Sequence, residues 1–582
     1  MKINIGIIGI GSRGLSVLER LISIAKDNPN KELIISIFDS NLPGCGVHDI
    51  DQRDYMFLNT MAGQMGIYPD AEALSKFPGA PLTKGYSFYD WCVNNEVKSR
   101  SINKSGQSVN RALPTDYLPR NLLARYLRDC YEHLHSIKTD NVVINNYDSA
   151  CEILKNNNDY LSYRVVTSTG NTIDVRSLVM TTGHGNVVGS EDNQSQCETK
   201  KVLIQGLGLT AFDLLSELTK GRGGRYEYDD HGQYRYISSG REPEKIYLQS
   251  RSGGFFFSRP DTPLCRRKHL PVVLNDKRIS HLKSGKANNQ VDFTSNILPL
   301  IYIEMRAASL ATKLGNGDAN KVAYYNKTMA ELGSSIENGV SKVTEYLDIN
   351  ELDFGKLDCI SLLDKSLPGK VSSDEYEDWF ISKIKYDLTQ SNKGLLLSHE
   401  KAALEVWRDL RDQLRTVIDF RGLTKDSHKQ FYSHWDRVIN RLVAGPPKER
   451  YIEVLALVEA GIVSFLHQEN TEFSSSKEVI KLSANVESVG YSNIISGPYK
   501  SLSDLGLIRP LYNDPDIDGI EINSRNQAIS MSGNSENNIY IMGPIVEGCT
   551  YYNHYIPSPG SYNRAMTDAH IVAENILINQ KQ

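Results

Sequence analysis

The chain has 582 residues, 40% apolar and 23% charged, with a formal net charge of −5. That length exceeds one ordinary hydrophobic core, so two or three domains are expected. The charge balance gives no general attraction to nucleic acid or anionic membrane, and no apolar run approaches the ~20 residues of a membrane-spanning helix.

The first predicted element is an apolar, β-branched run (Ile3, Ile5, Ile7, Ile8) leading into Gly9-Ile10-Gly11-Ser12-Arg13-Gly14. A helical pattern follows, with Leu15, Val17, Leu18 and Leu21. Strand, glycine turn and helix are the context that makes G-x-G-x-x-G a dinucleotide-binding motif. Gly9 permits the tight turn, Gly11 lets backbone approach a pyrophosphate, and Gly14 lets helix and strand pack closely. Ser12 and Arg13 open the helix, whose first N–H groups and partial positive charge attract phosphate. A second strand over 33–38 ends in Asp39, a ribose-hydroxyl acceptor, followed by Ser40. The chain enters its first strand without the basic region and cleavage site of a signal peptide. Eight cysteines are scattered, with no C-x-x-C pair and no histidine at zinc spacing. A reducing cytoplasm and no metal site are therefore expected.

Next comes a glycine-rich turn over 40–48, with Gly44 and Gly46, then a loop carrying Asn59 and Gln64. Those amides suit hydrogen bonds to a cofactor ring edge, and equally suit a plain loop. Helices are predicted near Phe88 and after Pro119, the second with Leu122, Leu123, Tyr126 and Leu127 on one face. Strands follow over 142–144, 163–167 and 175–181, the last running into Thr182-Gly183-His184-Gly185. A second glycine turn is Gly206-Leu207-Gly208-Leu209-Thr210-Ala211, between an apolar strand and a helix through Leu214, Leu215 and Leu218. Ala211 is small enough for the third packing position, and two such motifs are far more specific than one. The strand over 246–248 leads to Ser250-Arg251-Ser252-Gly253 rather than to an acid. Arg251 with flanking hydroxyls suits a 2′-phosphate and so NADP(H); a surface ion pair is its competing use.

Helical patterns dominate from 260 to 461. The clearest spans 400–420, with Ala403, Val406, Trp407, Leu410, Leu414, Val417 and Ile418 in one apolar stripe. Lys401, Arg408, Arg411 and Arg415 share another face. It could hold an anion, although Glu405, Asp409 and Asp412 nearby favour a solvated or ion-paired face. A helix over 451–460 ends at Gly461. Short strands are expected around 462–465 and 479–482, ahead of Ile520-Glu521-Ile522-Asn523, then one over 539–542 that ends at Gly543. Tyr551, Tyr552, Asn553, His554 and Tyr555 precede a final helix.

The segments GIGSRG, FLNTMAGQMGIYPD, YLPRNLLARYLRD, VMTTGHG, VLIQGLGLTAFD, LQSRSG, KAALEVWRDLRDQLR, NRLVAGPP and IYIMGP together resemble the two-dinucleotide-binding flavoproteins. Within them the chain is similar to the bacterial FAD/NAD(P)-binding family that includes the flavin-dependent, aspartate N-monooxygenase-like N-hydroxylases. YLPRNLLARYLRD departs from the N-hydroxylase pattern P-x-R-x-x-F-x-x-Y, because Leu122 and Leu123 stand where an aromatic is expected.

The resemblance implies an α/β fold with two Rossmann-like dinucleotide-binding domains and a largely helical insertion. The expected boundaries are 1–190 for the FAD-binding domain, 199–259 for the NADP-binding domain and 260–461 for the insertion, a substrate or lid region. The chain would return through the NADP domain over 462–505 and the FAD domain over 506–582. FAD would lie on Gly9, Gly11, Ser12, Arg13, Gly14, Asp39, Ser40, Asn59, Gln64, Gly183 and Gly543. NADPH would lie on Gly206, Gly208, Thr210 and Arg251. The implied activity is oxygen insertion into a small amino-acid-like substrate, N-hydroxylation being one form, with oxygen carried as a C4a-(hydro)peroxyflavin. A flavin dehydrogenase or oxidase without oxygen insertion, and a non-catalytic flavin-binding interaction protein, are the alternatives. No catalytic side chain is assigned, because the cofactor carries such chemistry. The partners implied are a small-molecule substrate and molecular oxygen, with no nucleic acid and no membrane; the oligomeric state stays open.

Overall fold

The computed structural model describes residues 2–99, 111–156, 162–183, 201–229, 232–250, 253–363, 373–467, 479–484, 490–560 and 564–578. The chain divides into two compact units, Met1–Val187 with Ser488–Gln582, and Val188–Glu487.

The first unit opens with β1 (Lys2–Ile8), the helix Ser12–Lys26 and β2 (Glu32–Phe38). Ile3, Ile5 and Ile7 of β1 are fully buried, as a central parallel strand covered on both faces requires. The helix Arg120–Ile137 leads to β3 (Val142–Tyr147), which pairs parallel to β2. Strands β4 (Ala150–Lys155), β5 (Tyr163–Thr167) and β6 (Thr172–Val175) form a separate antiparallel sheet. β7 (Ser177–Met180) then returns to lie parallel to β1.

The strand expected over 175–181 is thus two strands in two sheets. They separate at Arg176, whose N–H donates to Asn4 O at 3.0 Å. The switch falls at the polar pair Arg176-Ser177, which is short enough to pass as the polar step of one half-buried strand.

In the second unit, β8 (Lys201–Gln205) enters the helix Leu209–Leu218. A hairpin of β9 (Arg225–Tyr228) and β10 (Tyr234–Ile237) follows, with Tyr226 stacked on Tyr234 at 5.3 Å. This stretch, polar and tyrosine-rich in sequence, was not among the expected strands. β11 (Lys245–Gln249), β12 (Val463–Leu466) and β13 (Val479–Ser483) join β8 in a parallel sheet ordered β12-β11-β8-β13. Between β11 and β12 the described residues hold helices but no named strand, from Asp276–Lys283 to Lys448–Glu459.

The helix expected over 400–420 is broken in two, His399–Asp409 and Arg411–Ile418. Leu410, at φ −93° and ψ 21°, makes the break. It follows Asp409, which accepts both from the Arg266 guanidinium and from the His269 N–H. Tertiary bonds thus hold the chain where local sequence would have continued the helix.

Back in the first unit, β14 (Gln527–Ile529) and β15 (Ser535–Ile541) complete the sheet β14-β15-β7-β1-β2-β3, before the last helix, Arg564–Ile578. Residues 520–523 form only isolated bridges, Ile520 to Pro510 and Ile522 to Ala528, rather than a strand. Among the described residues no helix is long and apolar enough to cross a membrane, and no cluster of potential metal ligands occurs.

Candidate cofactor sites

The first glycine turn is built by close backbone approach. Gly9 has φ +87°, and its N–H donates to Phe38 O at 2.8 Å. A Cβ on Gly9 would stand 2.8 Å from Thr181 O, and one on Gly14 would stand 2.4 Å from Gly9 O. A side chain therefore fits at neither position. Gly11 faces Gly46 across the neighbouring turn, where an added Cβ would meet Gly46 Cα at 3.1 Å. Gly11 is also the N-cap of Ser12–Lys26, with no side-chain cap and no acid in the first turn. The helix thus opens without an acid of its own at the N–H groups of its first turn.

Asp39 lies where the motif requires, but its carboxylate also shapes the turn. Oδ2 accepts from Ile10 N at 2.7 Å and Oδ1 from Asn41 N at 3.0 Å. A carboxylate has about four acceptor positions, so two remain for ribose hydroxyls. Ser40 beside it is exposed.

Arg13 is engaged within the protein. Its Nη2 donates to Asn553 O and to Tyr555 O, and its guanidinium lies 5.2 Å from the Tyr555 ring centroid. Gly543 (φ +103°) follows β15 and packs on the Arg13 stem, 3.5 Å from an added Cβ to Cδ. The structure therefore brings Gly9, Gly11, Ser12, Arg13, Gly14, Asp39 and Gly543 to one end of the parallel sheet, together with residues 553–555. Gly183 follows β7 at φ +68°, with open space around it.

Asn59 and Gln64 sit half-buried in a loop that runs along residues 114–120. Its contacts include Leu58 N to Leu118 O (3.0 Å), Gly63 N to Pro114 O (2.8 Å) and Arg120 Nε to Phe57 O (3.0 Å).

Two residues of this region escaped the sequence reading. Glu547 accepts from Tyr552 N (2.8 Å) and Asn553 N (2.6 Å), so one carboxylate shapes the loop that receives Arg13. Thr181 donates from its hydroxyl to Gly9 O. Neither has a periodic signal; the only clue to Glu547 is an acid shortly before a run of tyrosines. His554 is lowered to about 4 by the protein crowding it and by the Arg13 charge, though two-fifths of its side chain stays accessible.

The second turn repeats the first. Gly206 has φ +112° and donates to Gln249 O at 2.8 Å. Gly208, at φ −79° and ψ −171°, nearly copies Gly11, at −69° and −164°, and also caps its helix without a side-chain bond or a first-turn acid. Thr210 lies in the first turn, half-buried. Arg251 lies outside the described residues. Both turns present what a diphosphate needs: a backbone free of Cβ at the point of approach, and a helix N-terminus behind it.

The basic face at 401–415 is ion-paired and not an open anion site. Lys401 is buried and donates to Asp387 Oδ1 (2.6 Å) and Ser258 O (2.9 Å). Arg408 pairs with Glu405 at 3.6 Å and Arg415 with Asp412 at 3.0 Å. Glu405 is held near 2: its own burial opposes ionisation, and the Arg259, Arg408 and Arg266 guanidiniums around it outweigh that cost. Cys92, Cys130 and Cys359 are pushed up by burial to about 12, so they stay protonated thiols.

Comparison with known proteins agrees with this geometry. Residues 6–185 match the FAD-NAD(P)-binding family model. The chain is 27% identical over 502 residues to an L-aspartate N-monooxygenase (nitrosuccinate-forming) of Streptomyces davaonensis, covering 79% of this chain and 76% of that protein. It is 26% identical over 495 residues to the nitrosuccinic acid synthase of Aspergillus oryzae, covering 80% and 73%. Among solved structures, the ornithine hydroxylase of Pseudomonas aeruginosa aligns over the whole of both chains at 10% identity, with a TM-score of 0.39. The match over residues 6–185 and two glycine turns of one geometry agree, and the chain is an FAD- and NAD(P)-binding oxidoreductase.

Proposed function

We propose that the protein is an FAD- and NADPH-dependent monooxygenase that hydroxylates the nitrogen of a small amino acid, with aspartate the leading candidate. The observation that carries this reading is similarity to two nitrosuccinate-forming proteins across about four-fifths of the chain. The paired glycine turns supply the two cofactor sites such a reaction needs. FAD is assigned to the turn at Gly9, Gly11 and Gly14, with Asp39 on the ribose. NADPH is assigned to Gly206, Gly208 and Thr210, with Arg251 on the 2′-phosphate. Held on the Gly9–Gly14 turn, FAD would supply the redox and oxygen-activating chemistry, with NADPH as reductant and the second oxygen atom leaving as water. The protein's share is to place the diphosphates on helix N-termini and, through Arg13 and Glu547, to hold residues 551–555 in position.

Aerobic turnover of the purified FAD-loaded protein with NADPH and L-aspartate tests this, followed by mass analysis. Mass gains of one or more oxygens on the amino nitrogen, or nitrosuccinate itself, are expected. A product lacking only hydrogen would instead identify a dehydrogenase or oxidase. Failure of NADPH to reduce the flavin would leave the non-catalytic reading.

A further inference from the structure

The first unit also holds a cavity of about 610 Å3, within the range of small-molecule pockets. Tyr126, Asp129 and His133 on one face of the helix Arg120–Ile137 form one wall, and Tyr68 and Trp91 line it as well. Two polar groups there are oriented by neighbours before any ligand arrives. Trp91 Nε1 donates to Asp129 Oδ2 at 2.7 Å, which leaves Oδ1 for a ligand. Tyr68 Oη and His133 Nδ1 are bonded at 2.8 Å, which leaves Nε2. Asp129 and His133 are one helical turn apart, with Cβ atoms roughly 5–6 Å from each other, so both address one small group. Tyr126 is locked too: it donates to Tyr86 O (2.9 Å) and accepts from Ile67 N (3.2 Å).

A carboxylate oxygen, an imidazole nitrogen and aromatic faces form a set that favours a cation with N–H donors on an apolar body. We propose that this cavity binds a small primary amine, its ammonium on Asp129 Oδ1 and its apolar body against Tyr68, Trp91 and Tyr126. The site is separate from the cofactor turn. The opposite face of the same helix carries the glycine loop, with Arg128 Nη1 donating to Pro43 O at 3.1 Å and Leu127 O 2.8 Å from where a Gly44 Cβ would stand. An amine in the cavity therefore leaves Gly11 and Gly46 clear.

Calorimetric titration of the full-length, FAD-loaded protein with phenethylamine, phenylacetate and 2-phenylethanol tests the inference without reference to turnover. Phenethylamine should bind at least about tenfold more tightly than either analogue, and Asp129→Asn should weaken it at least about tenfold. Lys84, exposed at the rim, supplies a variant of opposite sign: Lys84→Glu should tighten amine binding by about threefold. Saturating NADPH should leave the affinity unchanged. Equal binding of phenylacetate, an unchanged affinity in Asp129→Asn, or displacement by NADPH would each overturn the assignment, whether or not the protein hydroxylates aspartate.

Discussion

Replacing Gly208 with alanine separates cofactor approach from folding. Its backbone, at φ −79° and ψ −171°, is open to alanine. The nearest atom to an added Cβ is Phe256 Cζ at 3.8 Å, an ordinary van der Waals contact. The unfolded-state entropy gain of about 0.4–1 kcal/mol from Gly→Ala roughly cancels the poorer capping preference of alanine, so the unfolding midpoint should hardly move. What the methyl group obstructs is a diphosphate drawn onto the first N–H groups of Leu209–Leu218. Losing one hydrogen bond to a charged group costs about 1.5–3 kcal/mol, which is about 10- to 150-fold in the KM for NADPH. FAD content should stay at the wild-type level. Gly11→Ala is the mirror experiment: its Cβ would crowd Gly46 Cα at 3.1 Å, so flavin should be lost while the NADPH KM of the remaining holoprotein is kept. Flavin absorbance after gel filtration and anaerobic reduction by NADPH measure both quantities. A Gly208→Ala protein that sheds FAD, or that folds and keeps the wild-type NADPH KM, refutes the assignment of the second turn.

Arg251→Ala should raise the KM for NADPH at least about tenfold and leave that for NADH unchanged, since only NADPH carries the 2′-phosphate; an unaltered preference removes Arg251 from the site. Lys401→Ala strands Asp387, 2% exposed, without its cation. Breaking such a buried pair costs about 3–5 kcal/mol, read as a lower denaturation midpoint, whereas a solvated basic face would show almost no change. His428 is buried, and that burial lowers its pKa to about 4. Between that value and the unfolded value near 6.5 the unfolded chain binds the extra proton, so stability falls as pH drops through this window. The full contribution is about 3 kcal/mol at about 1.36 kcal/mol per unit, and His428→Gln should flatten the melting-temperature profile between pH 6.5 and 4.

What could be read in the sequence shares one physical property: its cause lies within a few residues of its effect. Gly9 and Gly206 sit at positive φ, and Gly11 and Gly208 cap helices with bare backbone, so each turn announces itself in six letters. The tyrosine hairpin β9–β10 did not, because tyrosine counts as polar or apolar depending on what it packs against, and Tyr226 and Tyr234 pack against each other. Arg176 and Ser177, where the chain leaves one sheet for another, read in sequence as the polar step of a single alternating strand. The basic stripe at 401–415 is the ion-paired face that its neighbouring acids favoured, yet the sequence shows only part of the pairing. Glu405 and Asp412 pair locally with Arg408 and Arg415, but other partners come from elsewhere in the chain: Asp387 and Ser258 take Lys401, Arg259 reaches Glu405 from 146 residues away, and Arg266 reaches Asp409 from 143. A helical projection contains none of those distant partners. The dinucleotide-binding turn is therefore a local property of this chain, whereas recognition of an anionic substrate depends on which buried charges remain uncompensated once distant segments meet. That is why the glycine turns announce dinucleotides, and why the substrate has to be tested by turnover rather than inferred from the arginines.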